Sequence, residues 1–363
     1  MGKGQLIFLS FYEDNYSRSA VLLKSDSDQF ERIYFRLSHN AFAMLSQFKK
    51  ILEAHRGHIA AVVVMSPSHK IVPIIRFFCR YPLILDAGWP LTDGSKSRRG
   101  PDFRWKMTTI ISYLKLKLID LFSVVLADLV LVETNEQRKR MNQKLFSGKA
   151  KLEVSLTGFN EAGQSKDSGK LVEEFSDQEI FGKSRTRILF RGKINHESGF
   201  SNIVEAFKML DDSFEITYVV DQIPKNHTLQ PNEKFITNFL DTELTSIYQY
   251  ADICIGQVSS HQRLEVTIPH KAFEAAFFSK AYISAESIAI REFASEEEVL
   301  FLDKTTPKAL CQAIEKIAAD QNLIRKLEIN FKKKYNELAS QKVLGAQLDE
   351  WVVTLCQPKS HKN

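Results

Sequence analysis

The run AAVVVM, residues 60–65, is apolar without a break. A strand with one face in water alternates polar and apolar residues. An unbroken run instead fits a parallel strand covered by helices on both faces. Parallel neighbours cannot be joined by a tight turn, so each such strand demands a crossover, normally a helix. The rest of the chain reads in that rhythm. Residues 5–10 (QLIFLS) predict a first strand, and 16–23 begin a helix. Residues 41–55 carry Phe42, Leu45, Phe48 and Leu52 at helical spacing. Helices are predicted over 72–79, 103–121 and 136–145, and strands over 82–85 and 129–133. The alternation predicts an α/β chain with a doubly wound parallel sheet.

Residues 160–183 break the rhythm. EAGQSKDSGKLVEEFSDQE is polar, carries Gly and Ser, and has little periodicity, which marks a linker. A second alternation follows: strands at 187–190, 215–220 and 234–239, helices at 200–210 and 241–250. Further helices are expected at 308–319, 322–340 and 345–355, the last with Leu348, Trp351, Val352 and Leu355 on one face. With 363 residues the chain has room for two domains of ordinary size. The division expected is 1–160, a linker at 161–183, a second domain at 184–340, and a C-terminal helix and tail at 341–363.

Bulk properties exclude several classes. Hydrophobic residues are 44% and charged residues 26% of the chain, ordinary for a globular protein in water. The four cysteines, Cys79, Cys254, Cys311 and Cys356, have no metal-ligand spacing, so neither zinc nor a disulfide framework is expected. The apolar run at the N-terminus is short and lacks a small-residue cleavage site, and so reads as a strand rather than a signal peptide. The longest apolar stretch, 110–131, is interrupted by Lys115, Lys117, Asp120 and Asp128 and is no membrane span. There is no P-loop and no Gly-x-Gly-x-x-Gly after a strand, which leaves ATPase and ordinary dehydrogenase chemistry unsupported. Nucleic-acid binding lacks a zinc finger, an aromatic RNA-binding pattern or an isolated helix-turn-helix.

The densest chemistry lies in 251–284, ADICIGQVSSHQRLEVTIPHKAFEAAFFSKAYIS. It predicts a strand at 253–258, a polar loop, a helix opening near Pro269, and a strand at 281–284. Such a unit presents its loop and helix start at the carboxyl edge of a parallel sheet, where open α/β proteins bind ligands. A helix N-terminus favours phosphate. Lys271 adds positive charge, and Glu274 is an acceptor suited to a ribose hydroxyl. A carboxylate inside AFEAAFF faces water or has a polar partner, because burying it alone is costly. At 190–193, Phe-Arg-Gly-Lys ends a strand: Gly192 permits close approach of phosphate, and Arg191 or Lys193 would neutralise a diphosphate. A solvated surface loop is the plain alternative.

These segments carry a family resemblance. IPHKAFEAAFFSKAYISAES resembles the "K-x-F-E-A-x-A-x-G-K-P-V-I" segment of retaining GT-B glycosyltransferases of the family 4 type. FLDTELTSIYQYADICIG and ILFRGKINHESGFSNIVEAFKML are similar to the two segments that precede it there, so ordered matches cover 187–303. The resemblance implies two Rossmann-like domains facing a central cleft, and a last helix crossing back to the first domain. It implies transfer of a sugar from a nucleoside-diphosphate sugar to a hydroxyl acceptor, retaining and metal-independent, with no cofactor. Lys193 takes the place of the family's phosphate-binding Arg, Glu274 that of its ribose-binding Glu, and His69, in the loop after AAVVVM, that of a His near the donor sugar. Catalytic roles fall to His69 and Lys193, and donor binding to Gly192, Lys193, Lys271 and Glu274. Two departures stand out. The family's second basic residue is Ser198 here. The first Glu of its Glu-x7-Glu pair is Val266, with Glu265 one residue off.

In the first domain Asp86 ends a strand and Trp89-Pro90 stiffens the exit, so Asp86 and Trp89 are candidates to touch the acceptor. Trp beside Pro is as often simple packing. Ser17, Arg18 and Ser19 are placed to cap the next helix and contact substrate. A basic run, Lys96, Arg98, Arg99, Arg104, Lys106, Lys115 and Lys117, accompanies apolar residues at helical spacing. Residues 96–117 are thus a candidate contact with an anionic membrane surface, or a core-packed helix with a solvated face. The expected partners are a nucleotide-sugar donor and a saccharide or lipid-linked acceptor, in surface polysaccharide or glycolipid assembly. The expected location is cytoplasmic, with a peripheral position at the inner face of the cell membrane open to it. A catalytically degenerate GT-B protein, binding or scaffolding another transferase, is the alternative from a different class.

Overall fold

The structure is a computed structural model that describes residues 3–14, 17–97, 107–145, 151–161, 185–224, 227–237, 239 and 243–357. The chain divides into two compact units, Met1–Asn160 with Gln341–Asn363, and Glu161–Ser340.

The first unit holds β1 (Gly4–Ser10), β2 (Phe30–Arg36), β3 (Ile59–Val64), β4 (Leu83–Gly88), β5 (Leu129–Val132) and β6 (Lys151–Val154). Their order is β2-β1-β3-β4-β5-β6, and every pairing is parallel. The unbroken apolar runs become the central strands: Val62, Val63 and Val64 of β3 and Leu83, Ile84 and Leu85 of β4 are fully buried. The helices of this unit are α1 (Ser17–Lys24), α2 (Ala41–Ala54), α3 (Ile71–Ile75), α4 (Leu91–Ser97), α5 (Met107–Leu126) and α6 (Asn135–Leu145). Asn40 starts α2 by accepting from the amides of Phe42 and Ala43.

The second unit holds β7 (Thr186–Arg191), β8 (Phe214–Val219), β9 (Glu233–Ile236), β10 (Ile253–Ile255), β11 (Ala281–Ala285) and β12 (Leu300–Leu302). The order β12-β11-β10-β7-β8-β9 is again parallel throughout. Its helices are α7 (Phe200–Phe207), α8 (Leu244–Tyr250), α9 (His270–Phe277), α10 (Ile288–Arg291), α11 (Pro307–Ala318) and α12 (Gln321–Leu338). The last helix, α13 (Gln341–Cys356), packs in the first unit. Its Leu344, Leu348 and Val352 are fully buried in a core shared with Leu6, Phe8, Val21 and Val63.

Each sheet reverses its direction of growth once. In the first, β1 leads outward to β2 while β3 begins the other half. In the second, β7 leads outward through β8 and β9 while β10 begins the other half. Loops leaving paired strands on either side of such a switch diverge and open a crevice. The loops after β1 and β3, and those after β7 and β10, are therefore the places to look for chemistry.

Some expected boundaries change. The helix expected over 72–79 ends at Ile75, because turns at Phe78 and Cys79 close onto the Ile75 carbonyl. The strand expected over 253–258 stops at Ile255, although the Gly256 amide still reaches the Ile283 carbonyl at 2.7 Å. The helix expected from residue 103 is described from Met107 onward, and most of the linker at 161–183 lies outside the described residues.

Candidate functional site

The crevice of the second sheet is built from the ends of β7 and β10 and the start of α9. Phe190 ends buried beneath the loop, and Arg191 turns toward α9. Gly192 follows with φ +156°, and a Cβ there would lie 2.9 Å from Lys271 Nζ. Lys271, in the first turn of α9, is buried. Its ammonium stands 4.2 Å from the Phe190 ring centroid and donates a long hydrogen bond of 3.4 Å to the Gly256 carbonyl after β10. It thus bridges the two strand ends on either side of the switch point. Burial pushes its pKa down to about 7; Glu274 works against that shift, and Arg191 adds to it. Lys193, the next residue along the loop, is exposed.

Glu274 lies one helical turn into α9 and is fully buried. Arg191 Nη1 donates to both of its oxygens, at 2.7 and 2.8 Å. Tyr248 of α8 donates to Oε2 at 2.6 Å, and His270 Nδ1 lies 2.8 Å from Oε1. Burial alone would raise this carboxyl's pKa. Arg191, with His270 and Tyr248, outweighs burial and holds it down at about 2. The carboxylate has about four lone-pair sites, and these contacts fill them. The sequence suggested Glu274 as a direct acceptor for a ribose hydroxyl. Here its oxygens orient Arg191 and His270. The i,i+4 spacing of His270 and Glu274 signals one of these contacts. Tyr248, from a different helix, has no such signal.

The two loops that flank the crevice are tied together. Ser198 closes a turn on Asn195, its amide donating to Oδ1 and its hydroxyl to the carbonyl, each at 2.8 Å. Gly199 caps α7 with φ +68°, and a Cβ there would lie 2.0 Å from the Val258 carbonyl oxygen. The Val258 amide donates to the Ser198 carbonyl at 3.0 Å. Arg263 pairs with Glu197 at 3.0 Å, and the Ser259 hydroxyl donates to the Glu197 carbonyl. Ser198 therefore builds the turn and brings no charge. Val266 is buried, and Glu265 sits in a short 3-10 turn at Gln262–Glu265.

In the first unit the sequence candidates gather at the same kind of edge. His69 follows β3 and is 1% exposed. The Ser68 hydroxyl accepts from the Phe11 amide after β1 at 3.0 Å, and the Ser123 hydroxyl of α5 donates to the His69 carbonyl at 2.8 Å. Burial depresses the imidazole's pKa, while Asp120, the Pro67 carbonyl and Asp86 favour its charged form. Neither ring nitrogen makes a hydrogen bond of good geometry among the described residues. Arg18, at the start of α1, forms a buried ion pair with Asp86 of β4, Nε to Oδ1 at 2.5 Å, and donates to the Ser155 carbonyl at 2.7 Å. Arg18 Nη2 and Asp86 Oδ2 have no further partner among the described residues. Ser19 is buried beside them. Ser17 opens α1, and Trp89 leaves β4 with its ring against Gly94. Of the basic run, 98–106 lie outside the described residues, as does the side chain of Lys96. Among the described residues no group of three or more His, Cys, Asp or Glu is placed to hold a metal ion.

The site residues thus fall into two sets, one in each unit. Gly192, Lys193, Lys271 and Glu274 share one crevice. Arg18, Ser19, His69 and Asp86 share the other sheet edge.

No family model matches the sequence, and no curated protein does. Solved structures do match. A sucrose-phosphate synthase from Thermosynechococcus elongatus is 14% identical with a TM-score of 0.71, over 97% of this chain and 99% of that one. The Anabaena protein HepE, solved in complex with UDP-glucose, is 11% identical with a TM-score of 0.67, over 96% and 99%. Staphylococcus aureus MnaA, solved with UDP, is 12% identical with a TM-score of 0.56, over 97% of each chain. The chain has the GT-B fold of these proteins: two six-stranded parallel sheets with flanking helices.

Proposed function

We propose that this protein is a GT-B glycosyltransferase that moves a sugar from a nucleoside-diphosphate sugar to a hydroxyl acceptor. The observation that carries this reading is the crevice between β7 and β10. A glycine whose Cβ would crowd Lys271, an exposed lysine, a buried ammonium and the first turn of a helix converge at the switch point of a parallel sheet. That combination suits a diphosphate. The GT-B fold, and the UDP and UDP-glucose found in two structural neighbours, add support.

Lys193 and Lys271 would offset the charge that builds on the departing diphosphate, a task for fixed positive groups. Gly192, with no side chain, would admit the phosphate closely, its own amide already donating to the Val219 carbonyl at 2.9 Å. Glu274 would act through Arg191 and His270, keeping both aimed into the crevice. His69, with Arg18, Ser19 and Asp86, would form the acceptor side, and Ser17 and Trp89 would border it. Arg18 Nη2 and Asp86 Oδ2, without a further partner among the described residues, fit sugar hydroxyls, and His69 could take the acceptor proton. By resemblance to family 4 enzymes, transfer would be retaining and metal-independent, in surface polysaccharide or glycolipid assembly.

The test is turnover of a panel of UDP-, GDP- and ADP-sugars with and without simple saccharide and lipid-linked acceptors. Nucleotide release that needs an acceptor, survives a chelator and keeps the anomeric configuration supports the proposal in full. Conversion of the sugar with no acceptor would replace it with nucleotide-sugar epimerisation. Nucleotide binding without any turnover would favour a degenerate binding or scaffold protein, to which Ser198 and Val266 already lend weight.

A further inference from the structure

Parallel strands need crossovers, and a helix forms in every crossover of the two sheets but one among the described residues. Between β8 and β9, the described part of residues 220–232 carries none. The position left open follows from handedness. The step from β8 to β9 crosses the sheet in the same direction as that from β7 to β8. Right-handed crossovers taken in one direction put their helices on one face, so the absent helix belongs beside α7. There a cavity of about 470 Å³ opens instead, lined by Phe200, Val204 and Lys208 in one row of α7 and by Pro224, His227 and Gln230 of the crossover.

This groove is a built surface. Glu233, at the head of β9, pins the crossover down: it accepts from the Gln230 amide and the Tyr218 hydroxyl at 3.0 Å each, and lies 2.8 Å from His227 Nε2. Met209, Ile223 and Leu229, on the segments that form the groove, are 51%, 55% and 58% exposed. One exposed apolar residue is ordinary, but three around a cavity mark a contact surface. The first unit offers the matching shape. Along α5, Ile110, Leu114, Leu118 and Phe122 form an exposed row four residues apart, while Asp120, Ser123 and Val124 are buried on the other side. The charges are opposite in sign. Exposed Lys115 and Lys117 flank the α5 row. Residues 200–232 expose Glu205, Asp211, Asp212 and Asp221 against Lys208, the one exposed base there among the described residues.

We propose that two copies of this chain associate by seating α5 of one in the groove beside α7 of the other. The row Ile110, Leu114, Leu118 and Phe122 meets the row Phe200, Val204 and Lys208, and rows of that spacing are the ones that most often interdigitate between helices. The partner's helix takes the place that the chain's own crossover leaves open. Its two lysines face the acids of the groove, which speeds encounter and fixes the register of docking. A flat anionic bilayer would take α5 alone and leave the groove uncovered; a second copy covers both. The contact is independent of the donor-site reading, because none of its residues belongs to either polar cluster.

Sedimentation velocity of the full chain tests it. The protein should self-associate reversibly, and less so at high salt. Leu118→Glu on α5 and Leu229→Glu at the groove should each weaken association by about tenfold or more, with unchanged thermal unfolding and unchanged nucleotide binding. Mixed together, the two variants should form a 1:1 complex, because the first keeps its groove and the second keeps its α5. A parent protein that sediments only as a monomer would overturn the inference, whether or not it then floats with anionic vesicles. So would association that survives Leu229→Glu, since α5 would then pair elsewhere than in the groove, and so would a mixture of the variants that stays monomeric.

Discussion

Glu274 shows how much one buried side chain can organise. A carboxylate with no water around it is stable only because Arg191, Tyr248 and His270 saturate it. Its pKa of about 2 lies below the ordinary 4.5. The stabilisation is therefore present above pH 4.5 and is lost as pH falls from there toward 2. At neutral pH, Glu274→Ala should cost roughly 3 kcal/mol, since it leaves Arg191 without its buried carboxylate partner. Chemical denaturation of the variant checks this, and a loss under ~1 kcal/mol would mean the pair is solvated. Lys271 makes a prediction of opposite kind. Its ammonium is held in the folded protein only below about pH 7, so a bound diphosphate must draw a proton onto it at higher pH. Nucleotide affinity should fall by up to ~tenfold between pH 7 and 8.5, and Lys271→Met should bind more weakly with a flatter profile. A flat profile in the parent protein would remove Lys271 from phosphate contact.

At the scale of elements, the loop from β7 to α7 sets the site. Gly199 has a left-handed backbone and no space for a methyl group against the Val258 carbonyl. Gly199→Ala should force the two loops apart and cost several kcal/mol, about the upper range for a single substitution. Thermal unfolding and nucleotide binding should both suffer. Gly192→Ala should instead push Lys271 aside, with a larger effect on binding than on stability. Which elements were legible in the sequence follows from where they sit. β3, β4 and β5 are central, buried on both faces, and appear as unbroken apolar runs. β2, β6 and β12 lie at sheet edges and are half-exposed. FERIYFR has no clear alternation, LFL is three residues long, and KLEV alternates over only four residues, so none stands out as a strand. Within the site, Gly192, Lys193, Lys271 and Glu274 could be picked out because they cluster at strand ends and a helix start. Tyr248 could not, because only the folded sheet brings α8 beside α9.

At the scale of the whole molecule, both units use the same plan: a parallel sheet, one reversal of growth, and polar side chains gathered at that reversal. The chain ends by returning α13 to the unit in which it began. Arg32 of β2 pairs with Asp349 at 2.7 Å, and Leu344, Leu348 and Val352 complete the core under β1. Three fully buried aliphatic side chains contribute about 2 kcal/mol each, comparable to the net stability of a domain. A chain truncated after Ser340 should therefore lose cooperative unfolding of the first unit. Calorimetry of the shortened protein reads this directly, and an unchanged transition would show that α13 is dispensable. The central claim, however, concerns the second unit. The measurement that tests it most directly is isothermal calorimetry of the full chain with UDP, GDP and ADP, beside a Lys193→Ala variant. Lys193 is exposed, so its loss should leave folding intact. Binding of one of the three nucleotides, weakened at least about tenfold by Lys193→Ala at an unchanged melting temperature, is the predicted result. No binding of any of the three to the parent protein would contradict the donor site proposed between β7 and β10.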